Sequence, residues 1–302
     1  MSHGADSLKS ILFALGANTA IAVAKLVAAL ITGSGAMLAE SIHSFADAGN
    51  QTLLILGLKR ARTAPSEDYP LGYGKAIYFW SFIVAIILFS LGGLFSLYEG
   101  WHKLQHPEPL SYPLVAIGVL VFAMVAEGIS LWGCLREVNK VRAGRSYWRW
   151  FRQSRQSELL VVFGEDLAAL LGLAFALLAI VVTLITGNPA YDAVGTLVIG
   201  ALLLLIAILI GNEVRELLIG QSADPLERAR MLDWLQQRPE VEQVFNLLTM
   251  QMGADLMVAV KARMVATGSE AGLIRAINEV EAGFRQQFQG VRWLFFEPDN
   301  QD

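Results

Sequence analysis

Four polar residues in one otherwise apolar segment have the types and spacing expected of a metal site. They are Glu40, His43, Asp47 and Asn50. Successive members are three, four and three residues apart, so they share one face of a helix. His43 and Asp47 stand one turn apart, which allows an imidazole nitrogen and a carboxylate oxygen to bind the same ion. An ionisable group inside a bilayer costs roughly 2.5 kcal/mol or more, so the spacing predicts a polar stripe that faces a cavity or a partner helix.

A second apolar segment supplies two adjacent acids, Glu165 and Asp166. One nitrogen and two or three carboxylates form a four-coordinate site for a divalent ion, with neutral histidine and ionised acids as the binding forms. Two alternatives stay open at this point. The acids either lie near the membrane interface or pair with Lys25, and His43 and Asp47 are also compatible with a purely structural charge pair between helices.

The elements that must position these residues are membrane helices. The 302 residues are 55% hydrophobic and 17% charged, whereas soluble domains are about a quarter charged. A span needs roughly 20 apolar residues. Six stretches satisfy this requirement, approximately 10–32, 36–58, 76–101, 111–134, 158–186 and 190–212. The sequence therefore predicts an α-helical polytopic membrane protein with six transmembrane helices.

The distribution of basic residues predicts the orientation of these spans. Seven lysines and arginines lie in the link 135–157 and four in the link 59–75, while the alternate links 32–35, 102–110 and 187–189 carry almost none. Basic loops stay on the cytoplasmic side, so both termini are predicted to be cytoplasmic. The net charge of −4 offers no global basic field, and no nucleic-acid partner is predicted. The arginines and aromatic residues of 135–157 are assigned to the lipid bilayer surface.

The last part of the chain has the composition of a soluble domain. Residues 220–302 hold 8 basic and 12 acidic residues, and they contain no histidine. Helical spacing, capping signals and alternation predict a helix from Pro225 to about Gln237, strands at 241–251 and 255–265, a helix after a capping box at Thr267–Glu270, and a strand at Val291–Phe296. The predicted domains are thus a transmembrane domain, 1–219, and a cytoplasmic αββαβ domain for dimerisation or regulation, 220–302.

Three sequence motifs resemble those of the cation diffusion facilitators, a family that includes the zinc transporters. They are Ala39-Glu40-Ser41-Ile42-His43-Ser44-Phe45-Ala46-Asp47, Gly72-Tyr73-Gly74-Lys75 and Phe296-Glu297-Pro298. The first is similar to the family's His-x-x-x-Asp in the second span, the second to its Gly-x-Gly-Lys before the third span, and the third to its closing strand. The resemblance covers nearly the whole chain, and it implies a ferredoxin-like tail.

The resemblance also implies a function. Members are homodimeric exporters that exchange a divalent metal ion from the cytoplasm for protons by alternating access. By position, His43, Asp47 and Asp166 match three of the four metal ligands, whereas the fourth position is Val162 and Glu165 is expected to substitute. A branch related to zinc transporter 9 carries a similar Glu-Asp pair. Lys75 is expected to form an ion pair at the dimer, and Glu40 and Asn50 to line the cavity.

The substrate and the host membrane follow less directly from these residues. Retention of His43 favours Zn²⁺, while the additional acid shifts tolerance towards Mn²⁺ or Fe²⁺. Protons are the expected coupling ion and no prosthetic group is expected. The host is a bacterial inner membrane or an organellar membrane. Two other functions remain open: an intramembrane metal-dependent hydrolase with Glu165 as the base, and a metal sensor that lost transport because Val162 removed a ligand.

Overall fold

The computed structural model describes residues 3–301, with side chains from Gly16 onward except that of Ala17. Each of the six apolar stretches forms a long helix. In residues 3–219 the helices are α1 (His3–Thr32), α2 (Gly35–Ala61), α3 (Ala76–Ile87), α4 (Phe95–Gln105), α5 (Pro113–Val141), α6 (Tyr147–Gln153), α7 (Ser157–Thr186) and α8 (Ala190–Ile219). A π-helical segment, Leu88–Leu94, joins α3 to α4 without a break in the helix.

Among the described residues, four helical stretches are long and apolar enough to cross a membrane. They are Ala76–Gln105, Pro113–Val141, Ser157–Thr186 and Ala190–Ile219. α1 contributes a shorter apolar helix, Asn18–Thr32, and α2 carries both its polar stripe and two basic residues in its last turn. The structure thus identifies four candidate spans, and the two additional spans stay a prediction.

One compact unit consists of Met1–Leu56, Trp80–Tyr147 and Glu158–Val214. Within it, glycines bring two helices into backbone contact. A Cβ atom at Gly200 of α8 would lie 2.8 Å from the backbone nitrogen of Leu97, and one at Gly100 of α4 would lie 2.8 Å from that of Leu197. Small residues permit this close approach of helices where the bilayer provides no hydrophobic driving force between them.

A side-chain and backbone network holds the first turn of α2. Ser34 caps the helix by accepting a hydrogen bond from the Met37 amide at 3.1 Å. Asp192 of α8 accepts from the Ser34 hydroxyl at 2.5 Å and from the Gly35 amide at 2.7 Å. A carboxylate at a helix N-terminus also interacts favourably with the helix dipole. α8 therefore anchors the end of α2 from which the polar stripe begins.

The second unit consists of Gly57–Phe79, Trp148–Ser157 and Arg215–Asp302. Its last part contains α9 (Pro225–Gln236), β1 (Val241–Met252), β2 (Asp255–Met264), α10 (Glu270–Gln287) and β3 (Val291–Pro298). The sheet order is β1-β2-β3, with β1 antiparallel and β3 parallel to β2. The order of these elements along the chain confirms the predicted succession αββαβ. Phe284 is fully buried in the core between the sheet and its helices, with its ring 5.5 Å from that of Trp234.

The helix caps agree with the sequence in one case and differ in the other. Asp224 accepts a hydrogen bond from the Leu226 amide at 2.9 Å, which confirms the predicted cap of α9. For α10 the predicted cap at Thr267 is wrong. Ser269 is the capping residue, because its backbone is extended and its hydroxyl accepts from the Gly272 amide at 3.1 Å.

The Gly-x-Gly-Lys motif has a steric explanation within this unit. A Cβ atom at Gly74 would lie 1.9 Å from the carbonyl oxygen of Met252, so no other residue fits beside the β1–β2 turn. Gly72 has a positive φ of 73°, which also favours glycine. In the part of the chain that the structure describes, Lys75 forms no ion pair, and its Nζ atom lies beside Gly220. The dimer contact expected of Lys75 stays a prediction.

Candidate metal-binding site

The polar stripe of α2 points into the protein. Glu40, His43 and Asn50 are completely buried, and the side chain of Asp47 is 15% exposed. On the opposite face of the helix Phe45 and Gly49 are exposed. The steps of three, four and three residues between the members of the stripe place all four on one side because an α-helix has 3.6 residues per turn.

His43 and Asp47 form the centre of this stripe. The His43 Nε2 atom lies 3.4 Å from the Asp47 Oδ2 atom. Within the described part of the chain, neither ring nitrogen of His43 has a hydrogen-bond partner, and neither does Asp47 Oδ1. A buried polar atom without a partner costs about 1–3 kcal/mol, so this pair is suited to bind a further group. An imidazole nitrogen and a carboxylate oxygen are ligands for Zn²⁺.

The π-helical segment lies against the other side of the histidine ring. A Cβ atom at Gly92 would be 3.9 Å from His43 Nδ1 and 3.2 Å from Leu203 of α8. An alanine at position 92 would therefore crowd Leu203, and its Cβ atom would be in ordinary van der Waals contact with the ring of His43. Single turns of π-helix occur frequently at functional sites, and here the π-helical segment contacts the residue with the strongest metal-binding character.

α7 turns its two acids towards different helices. Glu165 is buried, and its Oε1 atom accepts a hydrogen bond from the side-chain amide nitrogen (Nδ2) of Asn50 at 2.6 Å. Asp166 accepts from the Ser130 hydroxyl of α5, at 3.1 Å and 3.2 Å to its two oxygens. Adjacent residues are separated by about 100° around a helix, which explains the divergence. Thus Glu165 contacts the stripe of α2 directly, whereas Asp166 contacts α5.

The four predicted ligands are not assembled into one site in this conformation. Among the described residues, no three histidine, cysteine, aspartate or glutamate side chains are close enough together to hold a metal ion. Asp47 is nevertheless within electrostatic range of both Glu165 and Asp166. A shift or rotation of α7 against α2 would be needed to bring a third oxygen to His43 and Asp47.

Two ionisable residues near the stripe, Lys25 and Glu127, were not among the predicted ligands. Lys25 of α1 donates hydrogen bonds to Ser44 Oγ at 2.6 Å and to Glu40 Oε2 at 3.4 Å, so the alternative that it pairs with Glu165 or Asp166 is wrong. Glu127 of α5 lies within electrostatic range of Asp47, Glu40 and Asp166. An acid in an apolar span is the signal that would have identified Glu127.

Comparison with known proteins gives one family and several relatives. Residues 11–219 match the family model described as the cation efflux transmembrane domain. The chain is 36% identical over 231 residues to the mitochondrial proton-coupled zinc antiporter SLC30A9 of Xenopus laevis, covering 76% of this chain and 41% of the relative. It is 33% identical over 217 residues to metal tolerance protein C4 of Arabidopsis thaliana, covering 71% and 48%.

A bacterial relative is covered more completely. The chain is 25% identical over 261 residues to zinc transporter ZitB of Pectobacterium atrosepticum, covering 85% of this chain and 76% of the relative. By contrast, the chain spans less than half the length of the Xenopus and Arabidopsis relatives.

Proposed function

The chain belongs to the cation efflux family, and on that premise we propose that it exports a divalent metal ion from the cytoplasm in exchange for protons by alternating access. Zn²⁺ is the proposed substrate, with Mn²⁺ or Fe²⁺ as the alternatives. The Xenopus relative is named a proton-coupled zinc antiporter and the Pectobacterium relative a zinc transporter. Neither is named as an enzyme, which favours transport over metal-dependent hydrolysis.

The observation that carries this proposal is the buried pair of His43 and Asp47. Among the described residues its ring nitrogens and one carboxylate oxygen have no hydrogen-bond partner, and a bound metal ion or proton would satisfy them. The acids must lose their protons to bind metal, so metal binding expels protons from the site. When the metal ion leaves, protons bind to the same acids again. This competition for the same atoms would couple the two fluxes.

Glu165 and Asp166 are the proposed further ligands, and they require movement of α7. The side-chain amide of Asn50 holds Glu165 at the edge of the α2 stripe. A rotation of α7 would allow Glu165 to exchange this hydrogen bond for a metal contact. Asp166 would have to leave the Ser130 hydroxyl. The proposed cycle therefore alternates between the observed separated arrangement and one in which both helices bind the ion.

The proposed membrane arrangement has α1 and α2 as spans beside the four apolar helical stretches. Both termini are then cytoplasmic, in a bacterial inner membrane or an organellar membrane. We assign 1–219 to the transmembrane domain and 220–302 to a ferredoxin-like tail that contributes to a homodimer. The three-stranded sheet, its two helices and their buried core support the assignment of the tail as a separate α+β element of the chain.

Transport into proteoliposomes tests the proposal. Purified protein is reconstituted with a metal-sensitive dye inside the vesicles and a pH gradient across the membrane. The variants His43→Ala and Asp47→Ala should lower the initial Zn²⁺ flux by about tenfold or more, since each removes a ligand of the ion. His102→Ala removes an exposed histidine of α4 and is the matched control, with unchanged flux. Absence of flux in the parent, or equal flux in all variants, would contradict the mechanism.

A further inference from the structure

Lys25 has an unusual environment. Among the residues whose side chains the structure describes, it is the only lysine or arginine that is buried, with 0% of its surface exposed. Its ammonium group connects α1 to α2 through Ser44 at 2.6 Å and Glu40 at 3.4 Å. A buried ammonium in a membrane helix is costly unless it is paired. The ion pair with Glu40 reduces that cost, but an apolar pair of similar size would avoid it entirely.

The ion pair lies next to the candidate metal ligands. Glu40 precedes His43 by three residues and Ser44 follows it directly, so the three share one turn of α2. The charge of Lys25 is within electrostatic range of both His43 and Asp47. A divalent ion held by His43 and Asp47 would therefore be repelled by the ammonium and attracted by the Glu40 carboxylate.

Glu40 is constrained from a third side by α7. Its Oε1 atom has no hydrogen-bond partner among the residues whose side chains are described, and it lies where a side chain at Gly172 would begin. The Glu40 carboxylate is thus held between the ammonium and the backbone of α7. Without Lys25 this carboxylate would be an additional uncompensated negative charge beside the site.

We propose that Lys25 and Glu40 form a charge-matched pair that sets the affinity of the divalent cation site. Lys25 acts as a positioning residue: it holds Glu40 outside the ligand set and offsets its charge. A carrier must bind its ion firmly enough to load and weakly enough to release, and a fixed internal cation lowers an affinity that several acids would otherwise make too high. This inference rests on the proposed function, because it assumes that His43 and Asp47 bind the ion.

The test is a charge cycle, read out as Zn²⁺ affinity by titration calorimetry on the full chain in detergent. Lys25→Met should tighten binding, and Glu40→Gln should weaken it, each on the order of tenfold, because a unit charge near a divalent ion is added or removed in a partly shielded interior. The double variant carries neither charge and should return to within about threefold of the parent. Lys25→Arg keeps the charge and should also stay near the parent affinity.

A purely structural strut between α1 and α2 gives a different pattern. In that case both single variants lower the thermal stability and neither tightens Zn²⁺ binding. The double variant then does not recover the parent affinity. This pattern would overturn the inference. If Lys25→Met does not fold, Glu40→Gln and the double variant decide: weakened binding that the double variant restores supports the charge pair. A parent that binds no Zn²⁺ refutes the proposed function, and this inference with it. A parent that binds while Lys25→Met is unchanged or weaker refutes this inference alone.

Discussion

Gly172 of α7 lies against Glu40 of α2, and its replacement by alanine tests how closely the two helices approach. A Cβ atom at position 172 would be 2.2 Å from Glu40 Oε1 and 3.3 Å from Glu40 Cδ. The oxygen would have to retreat by about 1.2 Å to reach ordinary van der Waals contact at 3.4 Å. Since the other oxygen of Glu40 lies 3.4 Å from the Lys25 ammonium, this retreat strains or breaks the ion pair.

The expected cost follows from overpacking at a buried site. Gly172→Ala should lower the free energy of unfolding by about 1–3 kcal/mol, the usual range for an added methyl group in a well-packed interior. Gly49→Ala is the matched control, because a Cβ atom at Gly49 of α2 meets nothing within 4 Å. Alanine in an open helical position is neutral or stabilising by up to about 1 kcal/mol. The two alanine variants should therefore differ by about 1–4 kcal/mol.

Thermal unfolding in detergent, followed by tryptophan fluorescence, measures this difference. A double-mutant cycle with Glu40→Ala identifies the contact, because truncation of Glu40 removes the atoms that the new Cβ would meet. Gly172→Ala should then cost less in the Glu40→Ala background than in the parent. Equal stability of Gly172→Ala and Gly49→Ala, or an equal cost in both backgrounds, would refute the close approach of α2 and α7.

Three further predictions concern the tail and the first turn of α2. Phe284→Ala should lower the free energy of unfolding by about 3–5 kcal/mol because it leaves a cavity in the core of the tail. Ile274→Ala, at an exposed position of the same helix, should lower it by about 0.5 kcal/mol or less. Similar costs for the two variants would contradict the assigned core. The Lys261 ammonium, at 3.1 Å, and nearby backbone amides hold the pKa of Asp299 below its ordinary value of 3.8. The stability that this ion pair contributes is therefore present above pH 3.8 and is lost as the pH falls through the lower folded pKa. Asp299→Asn should therefore flatten the acid dependence of hydrogen exchange in β2. An unchanged profile would contradict the pairing. Asp192→Ala should speed hydrogen exchange in the first turn of α2, and unchanged exchange would show that the cap from α8 is dispensable.

Much of the local structure was predictable because it depends on neighbouring residues in the chain. The fifth apolar stretch, predicted at 158–186, is observed as Ser157–Thr186, since a long apolar run specifies a membrane helix by itself. The cap at Asp224 was predictable for the same reason, because a capping side chain bonds to an amide two residues away. The cap of α10 was misplaced by two residues because Thr267 and Ser269 both have the capping side chain. Only the backbone conformation selects Ser269.

The candidate site, too, was predictable only where it depends on local sequence. Helical periodicity alone determined that Glu40, His43 and Asp47 share one face of α2, because the geometry of a single helix fixes that relationship. Only the tertiary structure decided which helix each charge meets: Lys25 pairs with Glu40, and the two acids of α7 turn to Asn50 and to Ser130 respectively. These contacts depend on the rotation and crossing of separate helices about their axes. Such packing is set by side chains along whole interfaces, and no local spacing in the sequence encodes it.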